Sequence, residues 1–330
     1  MAQVEPFGTM PDGTAVERIA LRGGGLTAAV LTYGATVQDL RLDGIGHPLV
    51  LGASSLAPYL GGLRYFGAIV GRYANRIAGG RFAIDGRSFQ ADRNFLGRHC
   101  LHGGSLGTAE QVWRVTGLRD DSVDLALEMP DGQMGFPGTL RAEVSYTLTA
   151  DDALQVALHA ETDAPTPCSL SHHSFFNLDD APDITGHRLR IDAGRYLPVD
   201  ADLIPTGEIA PVAGGAFDFS SLRPIGDHGY DHNFCLSDRS CEIRPVAWLA
   251  GLSGGLTMRV ETTAPGLQFY DGGYLADLPG FDGRTYGRHA GLALEAQEWP
   301  DAPNRPAFPP AILRPGETFL QRTRYIFGRA

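Results

Sequence analysis

The chain has 330 residues, a net charge of −11 and no lysine, so all 27 basic residues are arginine. That absence removes Schiff-base enzymes, pyridoxal-phosphate enzymes and the Walker A lysine together, and an acidic chain without a basic block argues against nucleic acid as a partner. No run approaches the roughly 20 apolar residues of a membrane helix, so a soluble, cytoplasmic protein is expected.

The N-terminal Met1-Ala-Gln-Val-Glu-Pro-Phe-Gly has neither a basic n-region nor an apolar h-region. The first dense polar segment is Gly71-Arg-Tyr-Ala-Asn-Arg-Ile-Ala-Gly-Gly. Two arginines and Asn75 stand between glycines that permit close backbone approach. An arginine fork suits a carboxylate or a polyhydroxylated ligand; the same residues also suit a structural tie between loops. Next comes Leu101-His-Gly-Gly with His99 three residues earlier. Two histidines do not complete a metal site, and His102 reads either as a cleft residue or as a satisfied structural histidine. Gly103-Gly-Ser-Leu-Gly is too loose for a nucleotide fingerprint.

From here strands dominate. Val123, Leu125, Leu127 and Met129 alternate with polar or small residues, as do Ala142, Val144, Tyr146 and Leu148, then Leu154, Val156 and Leu158. Period two is the half-buried antiparallel signature. Pro130-Asp-Gly and Phe136-Pro-Gly mark turns between these runs. In Leu170-Ser-His-His-Ser-Phe-Phe-Asn-Leu, His172 and His173 face opposite sides if the run is extended, so only one of them serves a given site. The same holds for Asp231 and His232 in Gly229-Tyr-Asp-His-Asn-Phe, where Asp231 reads as a hydroxyl acceptor or as a turn residue. Period two returns at Leu256, Met258 and Val260. Ala264-Pro-Gly turns the chain toward Gln268, an amide set among aromatics.

Gly291-Leu-Ala-Leu-Glu-Ala-Gln-Glu-Trp-Pro reads as a buried strand interrupted by Glu295. Burying an unpaired carboxylate is costly, and such burial raises its pKa toward the range a general base can use. A rim carboxylate paired with an arginine is the plain alternative. The proline-rich stretch from Pro300 is stiff and non-helical, and Phe319, Gln321, Thr323 and Tyr325 mark a last strand. The cysteines Cys100, Cys168, Cys235 and Cys241 lack metal or disulfide-framework spacing, so free thiols are expected. Many short strands with regular turns, and no linker or repeat, predict an all-β sandwich or barrel in one domain, 1–330.

Taken in order, these segments resemble the aldose 1-epimerase (galactose mutarotase) family. The stretches that carry the resemblance are LTYGATVQDL from Leu31, GRYANRIAGGRFAIDG from Gly71, LHGG from Leu101, SHHSFFNL from Ser171, YLPVDADLIPTGEI from Tyr196, GYDHNF from Gly229, PGLQFY from Pro265, and LEAQEWPDAPN through ILRPGETF from Leu294. The resemblance implies a large antiparallel β-sandwich with a sugar cleft across one sheet, a free aldose as the small-molecule partner, and no metal or organic cofactor. It places the base on Glu295, the acid on His173 and a supporting histidine on His102, with Asn75, Arg76, Asp231 and Gln268 binding the sugar. Four positions depart from the family pattern: His172 stands for Asn, Phe175 for Tyr, Ala296 for Thr, and Asp271-Gly-Gly for Thr-Gly-Asn. These put the sugar preference in question, not the reaction.

The expected chemistry is anomer interconversion. An ionised Glu295 takes the C1 hydroxyl proton while a protonated His173 gives its proton to the ring oxygen; the ring opens, turns and recloses. Two other readings use the same residues differently. A non-catalytic sugar sensor would keep the binding groups and tolerate loss of the acid or base. A metal enzyme would draw on His99, His102, His172, His173, Asp231 and His232. Nothing in the sequence reports the oligomeric state.

Overall fold

The computed structural model describes residues 3–252 and 255–329. The period-two segments form the strands predicted for them, Ser122–Met129, Leu140–Thr149, Ala153–Thr162, Leu256–Thr262 and Phe319–Arg329. They are neighbours in a nine-stranded sheet that runs from Arg114–Leu118 at one edge to Arg223–Pro224 at the other. Along Leu140–Thr149 every second residue is buried and its partners face outward. The other regular segments are strands too: among the described residues the only helical turns are short 3-10 pieces of three residues.

A six-stranded sheet lies against this one. Its order is Phe175–Phe176, Leu292–Gln297, Gly266–Tyr270, Asp231–Cys235, Arg195–Tyr196 and Ala210–Pro211. A four-stranded sheet of N-terminal strands, Gln3–Thr9 to Thr36–Leu42, flanks both. One apolar cluster draws on all three, with Val30 from the N-terminal sheet, Val144 and Val156 from the large sheet, and Phe269 and Leu294 from the six-stranded one. Polar side chains also cross the interface: the Tyr325 hydroxyl donates to the Leu294 carbonyl at 3.1 Å, and Gln321 Nε2 to the Ala296 carbonyl at 2.9 Å. This is the all-β sandwich that the resemblance implies, one of the two architectures the alternation left open.

The six-stranded sheet differs in kind. All six residues of Leu292–Gln297 are buried. With both faces covered, the side chains on the face away from the shared core need partners of their own or a ligand. That face carries the polar residues singled out in the sequence.

Candidate active site

Strand register builds the floor of the site. Glu295 lies directly opposite Gln268, and Gln268 opposite Asn233, so three polar side chains form one row across three strands. In the adjacent row Tyr270 is opposite Asp231. Residues two apart share a face, so both rows look the same way. Asp231 is gripped on each oxygen: Gln268 Nε2 donates to Oδ1 at 2.5 Å and Arg76 Nη2 to Oδ2 at 3.1 Å. The Arg76 guanidinium also lies 4.7 Å from the Phe95 ring centre. Arginine and aspartate are therefore neutralised together on one wall.

Glu295 does not share that arrangement. It is 2% exposed, its Oε2 has no hydrogen-bond partner, and the nearby arginine is committed to Asp231. The arginine-paired rim carboxylate is thus not what this residue is. Burial pushes its pKa well above the ordinary carboxylate range, the Asp231 charge adds to the rise, and Arg76 opposes it.

The two adjacent histidines part company as an extended run requires. His172 is clasped between the rings of Tyr146 and Tyr325 and hydrogen-bonded to Ser174 Oγ at 2.8 Å. His173 turns to the cavity, with Nε2 3.6 Å from Glu295 Oε1. Its main chain is fixed on both sides: its N–H donates to the Ala68 carbonyl, and Gly67 N–H donates to its own carbonyl, each at 2.9 Å. Burial lowers the His173 pKa to about 4.

His102 arrives from a different loop and is held by a reciprocal pair of hydrogen bonds. Its N–H donates to the Asn75 carbonyl at 2.9 Å, and Asn75 N–H donates to His102 Nδ1 at 3.1 Å. Both residues take the left-handed backbone region, with φ of +51° and +62°. Gly103 makes this contact possible, since a Cβ there would lie 2.1 Å from the Gly71 carbonyl oxygen. Because Nδ1 accepts, a neutral His102 carries its proton on Nε2 and offers an N–H donor. Burial holds it neutral, pushing its pKa well below the usual histidine range, with the His173 and Arg76 charges adding to the fall.

One ligand atom from each of His102, His173 and Glu295 falls within 4.8 Å of the others, a set that invites a metal. The hydrogen bond from Asn75 argues against it. Ligation through His102 Nε2 requires that nitrogen's lone pair, which would move the proton to Nδ1, directly facing the Asn75 N–H. Of the other candidates for a metal reading, His99 bonds Asp202 and the Gly79 N–H, His232 Nδ1 accepts the Asp231 N–H, and both Asp231 oxygens are taken by Gln268 and Arg76.

The site residues line one cavity of about 200 Å³, including Asn75, Arg76, His102, His173, Asp231 and Glu295. Gln268 sits beneath it, reaching it through Asp231. The two arginines of the Gly71 segment divide the two readings between them. Arg76 faces the cavity, whereas the fully buried Arg72 ties loops together through the carbonyls of Pro137 and Gly138 and the Thr166 hydroxyl. Of the four unusual positions, only Phe175 lines the cavity. Ala296 belongs to the shared core. The Asp271 carboxylate accepts N–H groups of Gly229, Tyr230 and Gly273, so it shapes a turn. Tyr270, one of the aromatics noted beside Gln268, lines the cavity, but sequence reasoning missed the other aromatic walls, Tyr65, Phe66 and the exposed Tyr274. The first two stand in Arg64-Tyr-Phe-Gly, just ahead of the glycine-arginine segment, a position that was itself the available signal.

Residues 17–326 match the family model described as aldose 1-epimerase. The chain is 42% identical to galactose mutarotase of Rattus norvegicus over 338 aligned positions, covering 98% of each protein. It is 36% identical to aldose 1-epimerase of Escherichia coli strain K12, covering 96% of each. Among solved structures, an aldose epimerase homologue from C. elegans superposes with a TM-score of 0.89 at 28% identity, covering 96% of this chain and all of that one.

Proposed function

The chain belongs to the aldose 1-epimerase family, and from that footing we propose that Glu295 and His173 open and close the sugar ring by exchanging protons with its two oxygens. The enzyme is an isomerase that interconverts the α and β anomers of a free aldose. The observation that carries the assignment of roles is the buried pair itself, a carboxylate and an imidazole 3.6 Å apart facing one closed-bottomed cavity.

Glu295 takes the proton of the C1 hydroxyl. The C1–O bond to the ring oxygen breaks as C1=O forms, and His173 protonates the departing ring oxygen. Rotation about C1–C2 presents the other carbonyl face, and the same transfers run backward. His102, as a neutral Nε2–H donor, supports the ring oxygen as charge builds there. Arg76, Asn75 and Asp231 hold hydroxyl groups and fix the ring against the pair, and Gln268 fixes Asp231.

Burial refines the protonation expected from sequence. The pair carries one proton, and in the sugar-free cavity burial favours it on Glu295, leaving both groups neutral. That is also the distribution reached when the ring is open. Sugar hydroxyls donating to the carboxylate favour the charged form from which opening starts. The low-polarity cavity thus favours the open stage, and the bound sugar favours the start.

We read 1–330 as one domain acting in the cytoplasm on free sugar. The family match over 17–326 and the apolar cluster common to three sheets support one domain. No helix among the described residues is long and apolar enough to cross a membrane.

Polarimetry of freshly dissolved α-glucose and α-galactose tests the roles. Glu295→Gln and His173→Ala should each abolish most of the acceleration while sugar binding stays measurable. Normal rates in both variants would overturn the assignment, and binding without acceleration in the wild type would favour a sensor.

A further inference from the structure

We propose that Tyr65 is a positioning residue for both cavity histidines, and that Glu110, acting through Arg64, holds it in place. The proposal rests on the roles given above to His102 and His173. The Tyr65 ring meets His102 edge-on with centroids 4.7 Å apart, and lies nearly parallel to the His173 ring at 6.2 Å. The two imidazoles are themselves 5.3 Å apart, so one phenol ring braces a pair that comes from separate loops. Its own loop is joined to His173 through the main chain. Ala68 N–H donates to the Tyr65 carbonyl, His173 N–H donates to the Ala68 carbonyl, and the next residue, Phe66, stacks on Phe175 at 4.2 Å.

Behind Tyr65 lies a carboxylate that the proton transfers do not use. Glu110 ends the short turn Thr108–Glu110, just downstream of the loop that carries His102. Its side chain is 9% exposed, neither oxygen makes a well-formed hydrogen bond, and Arg64 Nε is 3.7 Å away. The titratable groups facing it are Arg64 and Tyr65 from one loop and Tyr33 from another. Burial raises both phenols to about 12, with the Glu110 charge adding to the rise and Arg64 opposing it. Burial also raises Glu110 itself to about 7, against the pull of Arg64. A buried carboxylate this poorly satisfied is costly. Here its charge faces Arg64, whose half-exposed guanidinium lies 5.9 Å from the Tyr65 ring centre. Protonation of Glu110 releases that hold, so the rate is lower below neutrality than above it.

The test is kcat and KM for mutarotation over roughly pH 5 to 9, where the wild type should show an inflection near neutrality. Tyr65→Ala should lower kcat about tenfold to a hundredfold with little change in KM, because misplaced histidines cost rate rather than binding. Tyr65→Phe keeps the ring and should lose only a fewfold. Glu110→Gln should lose about threefold in kcat above neutrality and erase the inflection. An unchanged kcat for Tyr65→Ala, or a loss confined to KM, overturns the role of Tyr65. An inflection that survives in Glu110→Gln removes Glu110 from the device. Should Tyr65→Ala fail to fold, the two volume-conserving variants decide. Full activity in both Glu295→Gln and His173→Ala would instead strike the catalytic reading on which this rests.

Discussion

The nine-stranded and six-stranded sheets share one apolar core, yet they spend their second faces differently. The large sheet turns its outer face to water, where Glu128 and Arg141 form an exposed pair. The small sheet turns its second face toward a cavity that Glu295 lines, and sets Gln268 and Asn233 in register beside Glu295. Alternation alone stabilises the first. In the second, every polar residue must find a partner or await a ligand, and Glu295 has found none on Oε2. The comparison separates where stability is made from where chemistry is done.

Substitutions can break that separation. The largest expected effect is Glu295→Gln, a rate loss of about 10³-fold by polarimetry, within the range of a general base. The same variant should melt at a higher temperature. The folded pKa of Glu295 lies above its unfolded value, so the stability tied to its proton is present at low pH and lost as pH rises through the folded pKa. Gln removes that loss, so the gain should grow as pH rises past the ordinary carboxylate range and vanish in acid. Leu158→Ala, in the core of the large sheet, should do the reverse: about 2–5 kcal/mol lost in denaturant titration and kcat unchanged. A rate defect in Leu158→Ala would show that the sheets are not separable.

The pH profile sharpens the same point with a smaller effect. The pair needs one proton, so the acid limb set by His173 should fall near its lowered value of about 4, and the alkaline limb should lie above the ordinary carboxylate range. An acid limb at the usual histidine pKa that persists in Glu110→Gln would mean that the ring is better solvated than the cavity implies. The smallest effect belongs to the outer face. Glu128→Gln should change stability by no more than about 0.5 kcal/mol, since both partners of its ion pair are largely exposed.

The two sheets were also unequally legible in the sequence. Strands such as Leu140–Thr149 announce themselves because one side of each is wet. Leu292–Gln297 has no wet side, and only the intrusion of Glu295 distinguishes it from any buried run. The opposite facing of His172 and His173 follows from backbone geometry, so it could be read in advance. The division of labour between Arg72 and Arg76 could not, because both stand in one glycine-rich loop and only their distant partners, the carbonyls near Pro137 and the carboxylate of Asp231, tell them apart. The tautomer of His102 depends on the Asn75 N–H across 27 residues. Tyr65 carries no polar motif; its place just ahead of the glycine-arginine segment was the signal available, and its role emerges from where its ring stands.

The order in which the chain is made matters for the large sheet. Phe319–Arg329 is its middle member, paired with Ala153–Thr162 on one side and Leu256–Thr262 on the other. Without that segment the sheet would be two four-stranded halves, each with an open edge able to capture a neighbouring chain. Closing it pairs Ala153 with Ile326 and Ala160 with Phe319, the kind of distant contact that slows folding.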